Sequence, residues 1–382
     1  MQRLSALFLC AMLAACATGP IPEKPQHLFH DALFSAPSER ISPDQIFALS
    51  DEMRFYLDND IARKIHADGK IMALVNVLNK KAQLKLTYDA TKTRNAAEAF
   101  QARSGNCLSL AIMTAAFARQ MGLPIQFHSV TIGEVWDRKD NIDFLIGHVN
   151  LTLGETGGSS AFVGQESPKI IDFGAYDGTR GERMEDVGED IIVAMYMNNR
   201  AAESLANGNL DNAYWWARAA IERAPAFLIA YNTLGVIYSG HHNLPEAEQV
   251  FQHVLEQEPE NGLAMSNEVH VLNGLGRAKE SEMLARRLAE IQPYPPYFFF
   301  NRGLDAMRTG DYRTARTQFT KEVNRASYNH QFHFWLALAD FYLGNIDETR
   351  KQLIIAMENS PNSTQHDLYA AKLQSIRSHG VH

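Results

Sequence analysis

The sequence is poor in cysteine, and most of what it has lies at the very start. Of the three cysteines in 382 residues, Cys10 and Cys16 fall within the first sixteen positions, and Cys107 stands alone in the rest. The chain beyond residue 16 therefore cannot form an internal disulfide, and a zinc site built from cysteines is excluded. A lone thiol is either a reactive group or a small buried hydrophobic side chain, and its neighbours must decide between the two.

Long apolar runs are also missing. The apolar stretch at residues 4–15 follows Arg3 and is too short to anchor the chain across a bilayer. Its length and position predict a secretory signal peptide over residues 1–15. The end of this stretch, Leu13-Ala14-Ala15-Cys16, resembles the bacterial lipobox, and cleavage at another position is the alternative.

The lipobox resemblance implies that Cys16 is lipidated and becomes the first residue of the mature chain. Ala17, rather than aspartate, follows it. By analogy with that family this favours an outer-membrane lipoprotein facing the periplasm, with the inner membrane as the alternative. The next residues, 16–40, are rich in proline and show no periodic pattern, which predicts a tether between the membrane and the globular part.

The chain also lacks an excess of positive charge. The chain has 36 Lys and Arg against 44 Asp and Glu, for a net charge of −8, and no basic block interrupts it. Nucleic acid is therefore excluded as a partner class. Length and apolar content fit two globular domains.

The second half repeats itself with a period of 34 residues. Four kinds of position recur in one register, and they are a proline column, a glycine column and two columns of small residues. Their members are, respectively, Pro225, Pro259, Pro293, Ser327 and Pro361; Gly208, His242, Gly276, Gly310 and Gly344; Ala213, Ala247, Ser281, Ala315 and Thr349; and Ala201, Gly235, Val269, Gly303 and Ala337. Small residues suit a helix crossing, and glycine and proline end helices.

This pattern predicts five helix–turn–helix units over residues 189–361 and resembles the tetratricopeptide repeat family. Residues 362–382 then predict the capping helix that such stacks require. The resemblance implies a surface that binds a protein or peptide partner. Projection of the repeat places an apolar groove in the last two units, and the same groove is equally suited to docking the N-terminal domain. The predicted groove residues are Tyr297, Phe300, Leu304, Met307, Phe334, Leu338, Phe341 and Tyr342.

Residues 41–188 predict a second domain, with helices first and strands later. Ser42 is the expected N-cap of the first helix, with Pro43 at its first position. Thr91 or Thr93 is the expected cap of a helix that runs to about residue 103, and Ser104-Gly105-Asn106 end it. A new apolar run starts at Cys107, which places this cysteine in the first turn of a helix. Backbone N–H groups there stabilise a thiolate and can also donate to an oxyanion.

Two strands after this helix carry the polar groups that a reactive cysteine needs. In "DFLIGHVNLTLG", His148 falls on the face opposite Val149 and Leu151, and in "PKIIDFGAYD", Asp172 falls opposite Ile171. Adjacent strands place opposed side chains about 5 Å apart. His148 is therefore expected to pair with Asp172 and to offer its other ring nitrogen to Cys107. The alternative is that both are structural residues.

The order Cys, His, Asp, with "GNC" opening a helix and "GHVNL" and "IIDFG" in strands, resembles the transglutaminase-like, papain-type cysteine superfamily. The resemblance implies an α+β fold, with Cys107 as nucleophile, His148 as general base and acid, and Asp172 orienting the imidazole. It also implies that the N–H of Cys107 supplies part of an oxyanion hole, with Tyr88 as a candidate second donor. The resemblance requires no cofactor or metal, and the sequence shows no His-x-x-x-His pair.

The resemblance implies amide hydrolysis or acyl transfer through a thioester on Cys107, with the repeats recruiting the substrate or a partner. Two alternatives remain open from sequence. One is a non-catalytic scaffold or assembly lipoprotein whose cysteine fold is vestigial. The other is a peptidoglycan peptidase, because "NCLSLA" is loosely similar to the motif of cell-wall cysteine peptidases.

Overall fold

The computed structural model describes residues 25–78, 84–131, 136–139, 142–145, 147–155, 166–173 and 183–379. Within these residues the chain folds into sixteen α-helices and eight short strands, in the predicted combination of an α+β part and an all-α part. The predicted signal peptide and the predicted lipidation site, Cys16, lie outside the described residues.

None of the helices in the described part of the chain has the length and apolar character needed to cross a membrane.

The N-terminal part contains five helices and all the strands of the described residues. The helices are α1 (Asp51–Tyr56), α2 (Ala62–Asp68), α3 (Lys70–Leu78), α4 (Ala96–Ala102) and α5 (Cys107–Gln120), and a π-helical turn at Leu57–Ile61 joins α1 to α2. The strands are β1 (Thr87–Tyr88), β2 (Ser104–Gly105), β3 (Ile125–Thr131), β4 (Trp136–Lys139), β5 (Ile142–Leu145), β6 (His148–Leu153), β7 (Lys169–Ile171) and β8 (Arg183–Val187).

Two helix starts differ from the sequence expectation. The segment after Ser42 is only a 3₁₀ turn at Pro43–Gln45, and helix α1 begins later, where the Ser50 hydroxyl accepts from the N–H of Met53. Helix α4 is capped by Asn95 in a capping box with Glu98, so the expected threonine caps are wrong. A complete capping box satisfies two backbone donors at once, which a single threonine cannot do.

Helix α5 is the central element of this domain. All its residues from Cys107 to Ala118 are buried, because other elements cover it on every side. The tight turn before it depends on Gly105, since a Cβ at this position would lie 2.7 Å from the Cβ of Ser109. The apolar run that begins at Cys107 is therefore a core helix, and the cysteine is its N-terminal residue.

A four-stranded antiparallel sheet in the order β7-β6-β3-β8 packs against α5. The register pairs Val130 with His148 and His128 with Asn150, so these side chains share one face of the sheet. The apolar residues Val149 and Leu151 belong to the other face and join the core. As the alternation in the sequence indicates, one face of β6 is apolar and the other is polar.

The C-terminal part is a series of helix pairs. In the residues that the structure describes, five pairs are followed by one final helix, and each pair matches one predicted 34-residue unit. The helices are α6 (Glu189–Ala206), α7 (Leu210–Arg223), α8 (Leu228–Gly240), α9 (Leu244–Gln257), α10 (Gly262–Gly274), α11 (Ala278–Ile291), α12 (Phe298–Arg308), α13 (Tyr312–Arg325), α14 (His330–Tyr342), α15 (Ile346–Glu358) and α16 (Ser363–His379).

The backbone conformation explains the glycine column. Gly208, Gly276, Gly310 and Gly344 all have φ between +75° and +78°, each in the turn inside a helix pair. His242 holds the same slot with φ of +64°, a conformation that costs a non-glycine residue free energy. The column is thus a backbone requirement of the turn.

The small-residue columns mark where paired helices cross. A Cβ on Gly235 would lie 2.5 Å from the ring of Phe251, and the aromatic ring of Phe319 lies equally hard against Gly303. Ala213, in the other column, is completely buried. These contacts explain the small residues at these positions, although Val269 occupies the equivalent position of the third unit.

Residues 25–40, here called the docked segment, lie against the repeats. The predicted tether covered residues 16–40, of which 16–24 lie outside the described residues. Leu28 and Phe34 are 1% and 7% exposed, and the Phe34 ring stacks on Tyr214 of α7 at 4.0 Å. The Tyr238 hydroxyl of α8 donates to the Leu28 carbonyl at 2.8 Å. A proline-rich, unpatterned sequence is thus held by side chains of the repeats, which local sequence cannot reveal.

Polar contacts continue along the whole docked segment. Asp31 accepts from the Tyr214 hydroxyl and pairs with Arg218, and Glu39 accepts from the Trp216 indole N–H at 2.6 Å. Backbone groups take part as well, since the Ser35 carbonyl accepts from Trp215. The segment therefore runs across the first helix pairs before the chain enters the N-terminal domain.

The predicted groove is only partly exposed. Tyr297 and Phe300 are 2% and 7% exposed and pack inside the fourth and fifth helix pairs, so their assignment to an open groove is wrong. Phe334 stacks on Tyr369 of the final helix. The half-buried groove residues are Leu304, Met307, Phe334 and Leu338, and the exposed ones are Phe341 and Tyr342.

Candidate active site

Cys107 is the first residue of α5, and Asn106 is its N-cap. The Asn106 Oδ1 accepts from both the N–H and the hydroxyl of Ser109, each at 2.8 Å. This cap fixes the first turn and leaves the N–H of Cys107 without a partner among the described residues. The sulfur is thus placed at the positive end of a buried helix, although the side chain is only 5% exposed.

His148, the first residue of β6, lies between Cys107 and Asp172. Its Nε2 is 2.8 Å from Oδ1 and 2.9 Å from Oδ2 of Asp172, and the ring also hydrogen-bonds the side chain of Cys107. Because Nε2 donates to the carboxylate, Nδ1 is the atom left for the sulfur. The structure therefore brings together the three side chains that the sequence singles out.

The proton of His148 is held tightly. Burial is the largest influence and lowers its pKa, but hydrogen bonds to Asp172 and Cys107 and their negative charges raise it more, to about 10. His148 therefore keeps its proton at neutral pH and faces the sulfur as an imidazolium. A cation in this position favours a thiolate partner.

Asn150 is a further member of this site that the sequence reading did not single out. It is 2% exposed, and its Nδ2 donates to Oδ2 of Asp172 at 3.2 Å. Asp172 is the more open group, with a side chain 30% exposed, so this second contact helps to keep it against the histidine. The strand alternation that placed His148 also puts Asn150 on the same face, which is the signal that could have found it.

The same turn holds the candidate oxyanion donors. The N–H of Cys107 lies in the first turn of α5, which is the position expected of such a donor. Strand β1 runs parallel to β2 and pairs Tyr88 with Gly105, two positions before the cysteine. Tyr88 thus stays the candidate for the second donor, on the grounds of its position.

A second histidine–aspartate pair lies on the same sheet. His128 is 5% exposed, and its Nδ1 is 2.8 Å from Oδ1 of Asp186 while its Nε2 is 2.7 Å from the Thr152 hydroxyl. Both ring nitrogens are therefore occupied by groups other than the cysteine. This pair was not predicted from the sequence. Asp186 lies far along the chain from His128, in strand β8, which was not predicted either.

One known family matches the part of the chain that carries two of the candidate site residues. The sequence model described as the transglutaminase-like superfamily matches residues 57–152, which include Cys107 and His148 but end before Asp172. No characterised protein sequence gives a significant match to the chain.

The similar solved structures include several that are described as tetratricopeptide repeat proteins. They include YrrB, described as having an unusual peptide-binding site (21% identity, 47% of this chain and 92% of that one, TM-score 0.25). TTC0263 of Thermus thermophilus is 14% identical over 48% of this chain and 98% of its own, with a TM-score of 0.29. PilF of Pseudomonas aeruginosa is 16% identical over 48% and 84%, also with a TM-score of 0.29. The chain thus joins a transglutaminase-like domain to an array of tetratricopeptide-type helix pairs.

Proposed function

We propose that the chain is a cysteine-dependent acyl-transfer enzyme that cleaves or exchanges an amide bond through a thioester on Cys107. One observation supports this most directly. The His148 ring bonds both Cys107 and Asp172, the latter at 2.8 Å, at the N-terminus of a buried helix. A domain that had lost its activity would have no need to keep the protonated His148 imidazole next to the sulfur of Cys107.

The chemistry follows from these positions. The sulfur of Cys107 attacks the amide carbonyl, and the N–H of Cys107 donates to the oxyanion. The His148 imidazolium gives its Nδ1 proton to the departing amine as the C–N bond breaks, leaving a thioester. Neutral His148 then takes a proton from water or from a second amine, which attacks the thioester. Expulsion of the sulfur releases an acid or a new amide and restores the ion pair.

The location and the partner are parts of the same proposal. We assign lipidation to Cys16, which anchors the protein at the periplasmic face of the outer membrane, and we assign to the repeats the recruitment of a protein or peptide. The lipobox-like sequence supports the first assignment, and the array of helix pairs supports the second. A non-catalytic scaffold and a peptidoglycan peptidase are the competing functions.

Alkylation of Cys107 by iodoacetamide tests the reactive pair without knowledge of the substrate. If the sulfur is paired with the His148 imidazolium as proposed, the wild type should react readily even at pH 6. In His148→Ala the rate at pH 6 should fall by up to about 300-fold, because an ordinary thiol with a pKa of about 8.5 is only about 0.3% ionised there. The rate is measured by mass spectrometry of the intact protein.

His128→Ala is the matched control, since it removes the buried histidine of the second pair. Its alkylation rate at pH 6 should equal that of the wild type. A wild-type thiol that stays inert at every pH would support the scaffold function instead. Release of stem-peptide fragments from purified sacculi by the wild type but not by Cys107→Ala would assign the peptidase.

A further inference from the structure

A carboxylate of the repeat array reaches into the N-terminal domain beside the nucleophile. Glu203, on α6, accepts from the N–H of Thr93 at 2.5 Å and also from the Thr93 hydroxyl. Thr93 is only 1% exposed, so this contact lies inside the boundary between the two parts of the molecule. Burial raises the pKa of Glu203, and the Thr93 hydrogen bonds and the charge of Arg200 oppose that rise.

The contact continues to the helix that begins with Cys107. The Thr93 hydroxyl oxygen accepts from Nδ2 of Asn106 at 2.9 Å, and Asn106 caps α5 through its other amide atom. The Ser109 hydroxyl also accepts from the N–H of Arg94 at 2.8 Å. Direct hydrogen bonds thus join groups on three separate segments.

The Glu203 carboxylate fixes the direction of each hydrogen bond in the series Glu203–Thr93–Asn106. A carboxylate can only accept, so the Thr93 hydroxyl must donate to Glu203 and can then only accept from Asn106. This leaves Oδ1 of Asn106, and not its NH₂ group, facing the first turn of α5. Without Glu203 the threonine hydroxyl is free to rotate, and the amide of Asn106 loses the contact that sets its orientation.

We propose that Glu203 is a positioning residue through which the repeat array orients the first turn of α5, and with it the oxyanion-binding N–H of Cys107. The inference rests on the proposed function of Cys107 and extends it. The repeats on this account take part in forming the site, besides recruiting a partner.

A second contact shows that the segment carrying Thr93 depends on the repeats. The N–H of Ala90 donates to the carbonyl of Pro361 at 3.0 Å, between the last helix pair and the final helix. Ala90 and Thr93 are three residues apart, so their Cα atoms are separated by at most about 11 Å. Both ends of the repeat array therefore hold one short segment beside the active site.

Two chemical probes separate the orientation of the oxyanion donors from the reactivity of the sulfur. 4-Nitrophenyl acetate acylates Cys107 through a tetrahedral oxyanion, and the C–O bond breaks to release 4-nitrophenolate. Iodoacetamide alkylates the same sulfur by displacing iodide and forms no oxyanion. The ratio of the two second-order rate constants therefore reports on the oxyanion donors, and a general loss of folded protein leaves it unchanged.

In Glu203→Ala the acylation rate should fall about ten-fold relative to alkylation. Glu203→Gln keeps an oxygen that accepts from Thr93 and should hold the ratio within about two-fold of the wild type. Glu189→Ala is the matched control, because Glu189 also joins α6 to α5, through Arg119, but at the opposite end of α5. Its ratio should not change.

Thr93→Val and Thr93→Ser repeat the test if Glu203→Ala does not fold. The valine variant removes the hydroxyl at nearly constant volume and should lower the ratio, whereas the serine variant should keep it. An unchanged ratio in both Glu203→Ala and Thr93→Val, with normal wild-type alkylation at pH 6, would overturn this inference alone. A wild-type thiol without enhanced alkylation would instead overturn the proposed function on which it rests.

Discussion

Asp172→Ala is expected to lower the rate of Cys107 acylation by 4-nitrophenyl acetate on the order of 10³-fold. The carboxylate holds Nε2 of His148 at 2.8 Å and so keeps the other ring nitrogen directed at the sulfur. It also contributes to the raised pKa of His148, through both its hydrogen bond and its charge. Without it the ring is free to turn and its proton is held less tightly. The rate is measured from the absorbance of the released 4-nitrophenolate at roughly 400 nm.

Asp186→Ala provides the matched control for this substitution. Asp186 bonds His128 on the same sheet, and the nitrogen–oxygen distance is again 2.8 Å. Because that pair does not contact Cys107 through any described hydrogen bond, the acylation rate should stay within about two-fold of the wild type. A loss in Asp186→Ala as large as that in Asp172→Ala would mean that the assigned histidine–aspartate pair is the wrong one.

Phe251→Ala is expected to destabilise the repeat array by about 3–5 kcal/mol. Phe251 is fully buried in the second helix pair, and its ring fills the space left by Gly235 on the facing helix. Removal of the ring leaves a cavity at a helix crossing, where the backbone cannot move closer without disturbing the neighbouring pairs. Urea unfolding followed by far-UV circular dichroism measures the change, as a lower midpoint.

The control for Phe251→Ala is Phe341→Ala, at a phenylalanine that is 45% exposed. That change should cost less than about 1 kcal/mol. Gly235→Ala should cost about 1–3 kcal/mol in the wild type but much less in Phe251→Ala, where its Cβ no longer meets the ring. Equal costs in both backgrounds would show that this contact does not set the helix crossing.

The repeats were the easiest part to predict because their constraints are local and recur. A positive φ at Gly208 favours glycine, and a close helix approach at Gly235 demands a small residue. The same preferences return in most units, with His242 and Val269 as the exceptions. A single instance of either would have carried little information. Five instances in one register predicted the helix pairs together with their turns.

The candidate site was predictable only where its residues follow a local pattern. Cys107 follows a helix-breaking sequence, and strand alternation identified the face on which His148 lies. The contacts of Thr93 with Glu203, and of Asn150 with Asp172, join segments that are distant in sequence. No periodicity relates these partners, so sequence alone could not pair them.

The docked segment was misread for a related reason. Its proline content and lack of pattern are typical of a free linker, and its order comes from partners such as Tyr214 and Tyr238 of the repeats. Extended peptides held by side chains of another element need no internal periodicity. Composition therefore describes how such a segment behaves alone, and says nothing of a surface that receives it.

If Cys16 carries a lipid, the docking of residues 25–40 on the repeats limits how far the molecule can lie from the membrane. From Cys16 to Pro25, where the described chain begins, there are nine steps, which reach at most about 32 Å when fully extended. The ring of His27 contacts His253 on α9, so a lipid on Cys16 would hold the molecule from the side that carries this contact. On the proposed function, such an anchor would keep Cys107 in the neighbourhood of the bilayer and would favour substrates found there.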